Sequence, residues 1–372
     1  MTARRWRLWR RSSQGAFLAL FLGTVVLSCR WSLPWAGGLF LRLDALAGLV
    51  TMLAGRGFPP AFLPSLSLLL LTLLLGRVWC GWICPLGTLL EWTGRRRASL
   101  RLHPVWPRVK YGLLLALVAG ASLGVSGLLL LDPLALLERG LVGIGRPVLK
   151  TLLGDERSPW QPAEVTPSFL LVGLLALNLL FPRLWCRALC PLGALLAWLS
   201  RPVGLRRRVG EKCIGCGECA ARCPMGAVQE ETGESRPGEC ILCLECVDCP
   251  QGATGWRWLP PGRPAAVDLS RRAVLLALGS GLLLGLLLRL ERAWNRKSPR
   301  LLRPPGAVEE EVLAHCLRCG TCLAACPTGA LRPAFLESGV EGLWTPLFVP
   351  RLGYCRYLCN ACGQACPQAL QR

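Results

Sequence analysis

Sixteen of the chain's 21 cysteines fall into four short runs, and each run ends on a cysteine followed by proline. The runs are Cys213, Cys216, Cys219 and Cys223; Cys240, Cys243, Cys246 and Cys249; Cys316, Cys319, Cys322 and Cys326; and Cys355, Cys359, Cys362 and Cys366. Gaps of two or three residues put several sulfurs on one loop, which is ligand spacing and not the spacing of a disulfide framework. Zinc is the simplest alternative for four cysteines, but zinc ribbons use two separated Cys-x2-Cys pairs. Three close thiolates on a tight loop suit three corners of an iron-sulfur cubane. The runs therefore predict iron-sulfur centres, four in number.

The first run, C-x2-C-x2-C-x3-C-P, resembles that of two-cluster bacterial ferredoxins, in which the fourth cysteine serves the neighbouring cluster. The resemblance implies a crossed assignment. Cys213, Cys216, Cys219 and Cys249 would hold one [4Fe-4S] cluster, and Cys240, Cys243, Cys246 and Cys223 the next. In the C-terminal pair, Cys316, Cys319, Cys322 and Cys366 would hold one, and Cys355, Cys359, Cys362 and Cys326 the other. Two departures stand out: the last gap of the second run is two residues, and the first gap of the fourth is three.

The remainder of the chain is strongly apolar, with 52% hydrophobic and 17% charged residues. Residues 12–29, 57–76, 111–131 and 165–182 are uncharged and near the length a bilayer demands, so four transmembrane helices are expected. Arg4, Arg5, Arg7, Arg10 and Arg11 precede the first, and Arg77, Arg95, Arg96, Arg97, Arg101, Arg108 and Lys110 follow the second. In the loop from 132 to 164, Arg139, Arg146, Lys150 and Arg157 are offset by Asp132, Glu138, Asp155, Glu156 and Glu164. The positive-inside rule then puts both ends of the four-helix unit in the cytoplasm. A cleaved signal peptide is disfavoured, because no small-residue cleavage site stands out near Arg30. Residues 39–55, interrupted by Arg42 and Asp44, are expected to lie as an interfacial helix on the outer face. The net charge of +21 falls to about +13 once four clusters are counted, so it reads as topology and lipid contact, with no nucleic-acid partner.

Residues 77–92 (RVWCGWICPLGTLLEW) and 183–198 (RLWCRALCPLGALLAW) share ten of sixteen positions at an offset of 106, which marks a duplication. Pro85 and Pro191 suit the first position of a helix, so Cys84 and Cys190 fall where a helix dipole favours a thiolate. Cys80, Cys84, Cys186 and Cys190 thus form a candidate redox or additional metal site at the cytoplasmic membrane surface; the bland reading is packing beside Trp79 and Trp185. Spacing does not decide between a further metal centre, redox disulfides and a quinone pocket. Cys29 reads as a packing residue. His103 and His315 are the only histidines, which excludes bis-histidine haems, and no C-x-x-C-H or nucleotide-binding motif occurs. No catalytic residue is proposed.

With four spans, two C-x3-C-P-L-G repeats and a two-cluster module, residues 1 to about 250 resemble the NapH (MauN-like) ferredoxins. The C-terminal hundred residues look like NapG (MauM-like) ferredoxins. The resemblance implies an electron carrier between quinol and a periplasmic reductase, a quinol dehydrogenase component without its own substrate site; related polyferredoxins accompany nitrous oxide reductase. An accessory role in maturation or expression of a metalloenzyme is the alternative. Ser270, Arg271 and Arg272, before the uncharged residues 273–288, resemble a twin-arginine export signal, although Arg289, Arg292, Arg296, Lys297, Arg300 and Arg303 follow.

The expected architecture is an α-helical membrane protein of four to five transmembrane helices with two small α+β bacterial-type 2[4Fe-4S] ferredoxin modules. Its domains are a membrane domain (1–205), a cytoplasmic ferredoxin module (206–262), a twin-arginine-like signal and fifth helix (263–303) and a C-terminal ferredoxin module (304–372). It is expected in a bacterial inner membrane with the N-terminus cytoplasmic and the last module periplasmic. Its partners would be the lipid bilayer, the quinol pool and a periplasmic or cytoplasmic redox enzyme, with quinone as an open cofactor question.

Overall fold

The computed structural model describes residues 3–31, 36–58, 60–94, 105–152, 162–201, 204–229, 232–247, 249–259, 269–295 and 302–368. Arg95, Arg96, Arg97, Arg101, Asp155, Glu156, Arg157, Arg296, Lys297 and Arg300 of the charge argument lie outside them. In chain order the helices are α1 (Ala3–Trp31), α2 (Leu39–Arg42), α3 (Ala45–Gly55), α4 (Ser65–Leu75), α5 (Pro85–Thr93), α6 (Trp106–Ser122), α7 (Pro133–Leu152), α8 (Pro162–Leu180) and α9 (Pro191–Leu199). They continue with α10 (Glu218–Ala221), α11 (Arg271–Asn295), α12 (Glu309–His315), α13 (Thr321–Ala325) and α14 (Ala361–Ala365). Two antiparallel ribbons complete the fold: β1 (Gly204–Val209) on β2 (Thr254–Leu259), and β3 (Leu331–Pro333) on β4 (Pro346–Phe348).

Among the described residues, Arg5–Cys29 and Arg271–Trp294 are long and apolar enough to cross a membrane, whereas Pro60–Leu75 and Glu164–Leu180 are shorter apolar helices. Residues 111–131 do not form one helix. α6 stops at Ser122, Gly124 takes a left-handed φ of 78°, and a 3-10 turn (Gly127–Leu131) follows. Three leucines on α4 (Leu66, Leu70, Leu74) and eight on α11 remain exposed, an apolar surface suited to lipid.

The chain divides into two compact units. The first comprises residues 1–20, 66–111 and 175–269, and so joins the β1–β2 module to the start of α1, to α5 and to α9. Its interior carries charge in pairs. Arg10, fully buried, bonds Glu91 at 2.6 Å and Glu245 at 3.0 Å, and Arg183 reaches the same Glu91. Lys110 and Tyr111 both bond Glu239, which Arg77 also approaches at 3.4 Å. Burial alone would raise these carboxyls, but the surrounding cations outweigh it: Arg183, Arg10 and the Gln14 amide pull Glu91 to about 2, and Lys110 and Arg77 lower Glu239.

The second unit comprises residues 21–65, 112–174 and 270–372. Asp44 caps α3 through the amides of Leu46 and Ala47, and Asp132 caps α7 through Ala135. Both are fully buried, and each keeps one oxygen without a donor among the described residues. Burial raises both carboxyls, and the nearby Asp44 raises Asp132 further. α3, expected as an interfacial helix, is largely covered by the rest of the unit. Leu46, Ala47 and Val50 are buried, and the helix packs on α12, with Gly55 so close that a Cβ would stand 1.8 Å from the His315 ring.

α6 and α11 cross through small residues. A Cβ on Gly281 would stand 2.2 Å from the Ala116 carbonyl, and one on Gly285 would stand 3.2 Å from the Gly120 Cα; Gly112 faces Ala277. These pairs step by four in both helices, which is the close backbone packing typical of membrane helices. The numbers rise together, so the helices run parallel. At the far end of α11, Arg292 bonds both the Gly124 carbonyl and Glu341, and Glu291 accepts from the Val340 amide.

Candidate electron-transfer sites

The cluster loops share a backbone device. In the first run Gly215 and Gly217 have φ of 68° and 71°; at the equivalent positions of the second run Leu242 and Leu244 have 53° and 62°, and in the third Arg318 and Gly320 have 57° and 81°. Two left-handed residues flanking the second cysteine curl the loop so that its sulfurs converge. A leucine or arginine held there costs of order 1–3 kcal/mol, a strain that persists mainly at functional positions. The fourth run, with its longer first gap, lacks the device: neither Leu358 nor Asn360 has a positive φ.

The structure gathers the sixteen cysteines into four cavities. Cys213, Cys216, Cys219 and Cys249 line one, and Cys223, Cys240, Cys243 and Cys246 line another; Cys246 also borders the first. In the second unit, Cys316, Cys319, Cys322 and Cys366 line one and Cys326, Cys355, Cys359 and Cys362 the other. Cys355, whose run is irregular, is brought to its cavity with the rest. Among the described residues no three His, Cys, Asp or Glu side chains close around a single ion. A tetrahedral zinc site holds each sulfur about 2.3 Å from the metal, whereas a cubane spaces its ligands more widely. Four thiols per cavity fit a cubane in donor type and number.

The duplicated motif takes the same form twice. Trp79–Ile83 and Trp185–Leu189 are π-helical turns, a rare geometry that recurs at functional sites. Each ends on a cysteine whose Sγ caps the next helix: Gly87 N donates to Cys84 at 3.4 Å and Gly193 N to Cys190 at 3.1 Å, with Pro85 and Pro191 at the first helical position. The sequence expectation of easily formed thiolates is corrected here. Burial raises Cys84, Cys186 and Cys190, and neighbouring thiols of the quartet raise Cys84 and Cys190 further, outweighing the capping amides. Cys80 is half-buried. The Arg77 Nη2 is 3.8 Å from Cys80 Sγ and also reaches the start of α9 beside Cys190.

The first unit's second loop docks on this motif. The indole of Trp82 donates to the Leu242 carbonyl at 3.0 Å, and a Cβ on Gly81 would stand 2.2 Å from the Ile241 carbonyl. Cys213 and Cys216, by contrast, are exposed. Sequence reasoning missed the buried partners Glu91, Glu239, Asp44 and Asp132, which are solitary letters in the chain. The α6–α11 crossing had a signal in the four-residue spacing of Gly112, Ala116 and Gly120 against Ala277, Gly281 and Gly285.

Two family models, each described as a 4Fe-4S binding domain, match the chain: one over residues 57–103 and 165–210, the other over 209–229 and 313–332. The chain is 29% identical over 265 residues to the ferredoxin-type protein NapH of Haemophilus influenzae, covering 66% of this chain and 85% of that protein. It is 30% identical over 263 residues to the methylamine utilization ferredoxin-type protein MauN of Paracoccus denitrificans, again covering 66% and 85%. To MauM of the same organism it is 39% identical over 108 residues, 28% of this chain and 46% of that one. No solved structure matches.

Proposed function

We propose, for a chain that belongs to the NapH/MauN family of ferredoxin-type iron-sulfur proteins, a membrane relay that passes electrons from quinol to a redox enzyme outside the cytoplasm. Four [4Fe-4S] clusters, ligated by the sixteen cysteines as their cavities group them, carry the electrons. The membrane domain has four spans and α11 is a fifth.

The observation that carries the reading is the parallel crossing of α6 and α11. α6 begins beside Arg108 and Lys110, on the basic and therefore cytoplasmic side. A helix parallel to it starts on that side too, with Arg271 and Arg272 at its head, and delivers the C-terminal module outward. The basic residues that argue against export are partly accounted for: Arg292 is paired with Glu341, and Arg303 with Glu309. The C-terminal module also contacts α3 and α7, which belong to the first and third connections between spans. In a four-span chain with a cytoplasmic N-terminus these connections are outside.

Each module has one sheltered and one more open cluster site, so each can pass electrons between a membrane-side centre and a soluble partner. About 30 Å of hydrocarbon separates the two faces, and quinol, which moves within the bilayer, supplies both sides without a haem. Reporter fusions after Arg372, in the parent and in chains carrying Arg271→Lys and Arg272→Lys, test the topology. An external signal in the parent, lost in the variant, is expected; a cytoplasmic signal in both rules out the relay to an outside enzyme. Added quinol should bleach part of the cluster absorbance in proteoliposomes, and indifference to quinol would remove it as donor.

A further inference from the structure

Beside the third cysteine run, the second unit holds a cavity that the relay does not use. Arg139, Val142 and Arg146 of α7, Glu164 of α8, Arg318 and Trp344 line it, and it measures about 350 Å³ with its mouth included. The three arginines are at most 5% exposed, and Glu164 is the one carboxylate on the wall. Arg318 donates to four backbone carbonyls, but the other two arginines leave donors over. Arg139 gives its Nη2 to the Leu130 carbonyl and lies 4.6 Å over the Trp344 ring. Arg146 gives its Nη1 to the Leu331 carbonyl at 3.2 Å, with Glu164 at 3.5 Å. Arg139 Nε and Nη1 and Arg146 Nη2 find no acceptor among the described residues. Three buried arginine Nη atoms are in that position among the described residues, and two of them belong to the wall of this cavity. Burial lowers Arg139 to about 9, with Asp132 opposing it only in part, as befits a buried cation short of countercharge.

From this geometry we infer that the cavity binds a phosphate-class oxyanion, held by Arg139 and Arg146 behind the loop of the third cysteine run. The cluster of that run is not the acceptor these donors lack. Arg139 and Arg146 border neither sulfur cavity of the unit, and Arg318, Gly320 and Leu323 form the wall common to this cavity and the nearer one. Water can complete the hydrogen bonds, but it adds no charge against three guanidinium groups and one carboxylate. A carboxylate offers two oxygens, whereas three nitrogens on two separate guanidinium groups suit an anion with oxygens on several sides, and arginine is well matched to phosphate. Trp344 is fixed in place for this role: its φ is 61°, its indole donates to Thr166 at 3.1 Å, and a bulky residue held in the left-handed region persists mainly at functional positions. Two sources share the chemistry, free phosphate and the head group of an anionic phospholipid. The lipid source rests on α8 crossing the bilayer, which sets Glu164 near head-group depth; the free source does not.

The test uses the full chain, purified without oxygen, stripped of lipid and held in a maltoside detergent in phosphate-free buffer. In one arm radiolabelled inorganic phosphate is titrated by equilibrium dialysis. In the other, phosphatidylglycerol is added to the micelles and the lipid retained by each chain is counted by native mass spectrometry. Stoichiometric binding is expected in one arm, and that arm names the source; no binding in either overturns the site and leaves the relay untouched. Arg146→Gln should weaken the binding about tenfold or more with the cluster absorbance retained, whereas an unchanged affinity overturns the inference. Should that variant not fold, hydrogen exchange in the parent decides: the anion should slow exchange in α7 and in residues 316–322, and a lack of protection there sinks the proposal.

Discussion

The first and third cysteine runs have identical spacing, yet the loops they build are stabilised in different ways. In the first unit, Gly215 and Gly217 take the left-handed backbone at little cost, and Cys213 and Cys216 face solvent. In the second unit, the position of Gly215 is held by Arg318, and Cys316 and Cys319 are buried. Arg318 is 1% exposed and donates to the carbonyls of Ser126, Cys316, Leu343 and Glu341. The open loop owes its shape to backbone freedom alone. The other owes its shape to being docked, since the bond to Ser126 ties the cluster loop to the turn after α6. Loop shape and docking are therefore coupled at the third run and independent at the first.

Removing the tie should break this contrast most severely. Arg318→Ala leaves three buried carbonyls and a part-buried one without their donor and a left-handed residue without its clamp, a loss of about 3–5 kcal/mol. We expect the C-terminal module to lose its clusters while the first module keeps its own, measured by iron content and cluster absorbance. Gly281→Leu drives a side chain into the Ala116 carbonyl and should cost up to about 3 kcal/mol, lowering the Tm of the second unit. Gly279→Leu, where nothing stands within 4 Å, should not.

The two units should also respond oppositely to pH. Glu91 is lowered from its ordinary 4.5 to about 2, so its stabilisation is complete above 4.5 and fades as the pH falls toward 2. That contribution, on the order of 2 kcal/mol after allowance for partial exposure, should vanish in Glu91→Gln, as acid unfolding curves would reveal. Asp44 and Asp132 are raised, so protonation of these carboxyls stabilises the second unit at low pH, a contribution lost as the pH rises through their folded values. Asp132→Asn should flatten that alkaline limb. Leu242→Gly relieves a left-handed leucine, worth about 1 kcal/mol, but deletes a buried side chain at a cost of about 2–5 kcal/mol, so it should lower the cluster-release temperature of the first module.

What the sequence made legible was whatever is written locally. The likeness of the cysteine runs to those of two-cluster ferredoxins implied which sulfurs gather, and C-P forecast a helix opening on proline directly after Cys84 and Cys190. The end of α6 was not legible, because an unbroken apolar run hides the bend at Gly124. Nor was the burial of α3: Asp44 looked like an interruption in an apolar stretch, and only a partner 88 residues away, Asp132, makes it a buried cap. The thiol environment was misjudged for the same reason. A helix dipole can be inferred from one segment, whereas burial depends on what the rest of the chain lays over it.

The seat between α6 and α11 also has a consequence for biogenesis. A helix that fits only by backbone contact against Gly112, Ala116 and Gly120 has no place to settle until α6 is already inserted. α11 can therefore take its place only once α6 has formed. Once seated, the helix that resembles a passing export signal becomes a permanent wall of the protein, and removing it by cleavage would expose the glycine face it covers.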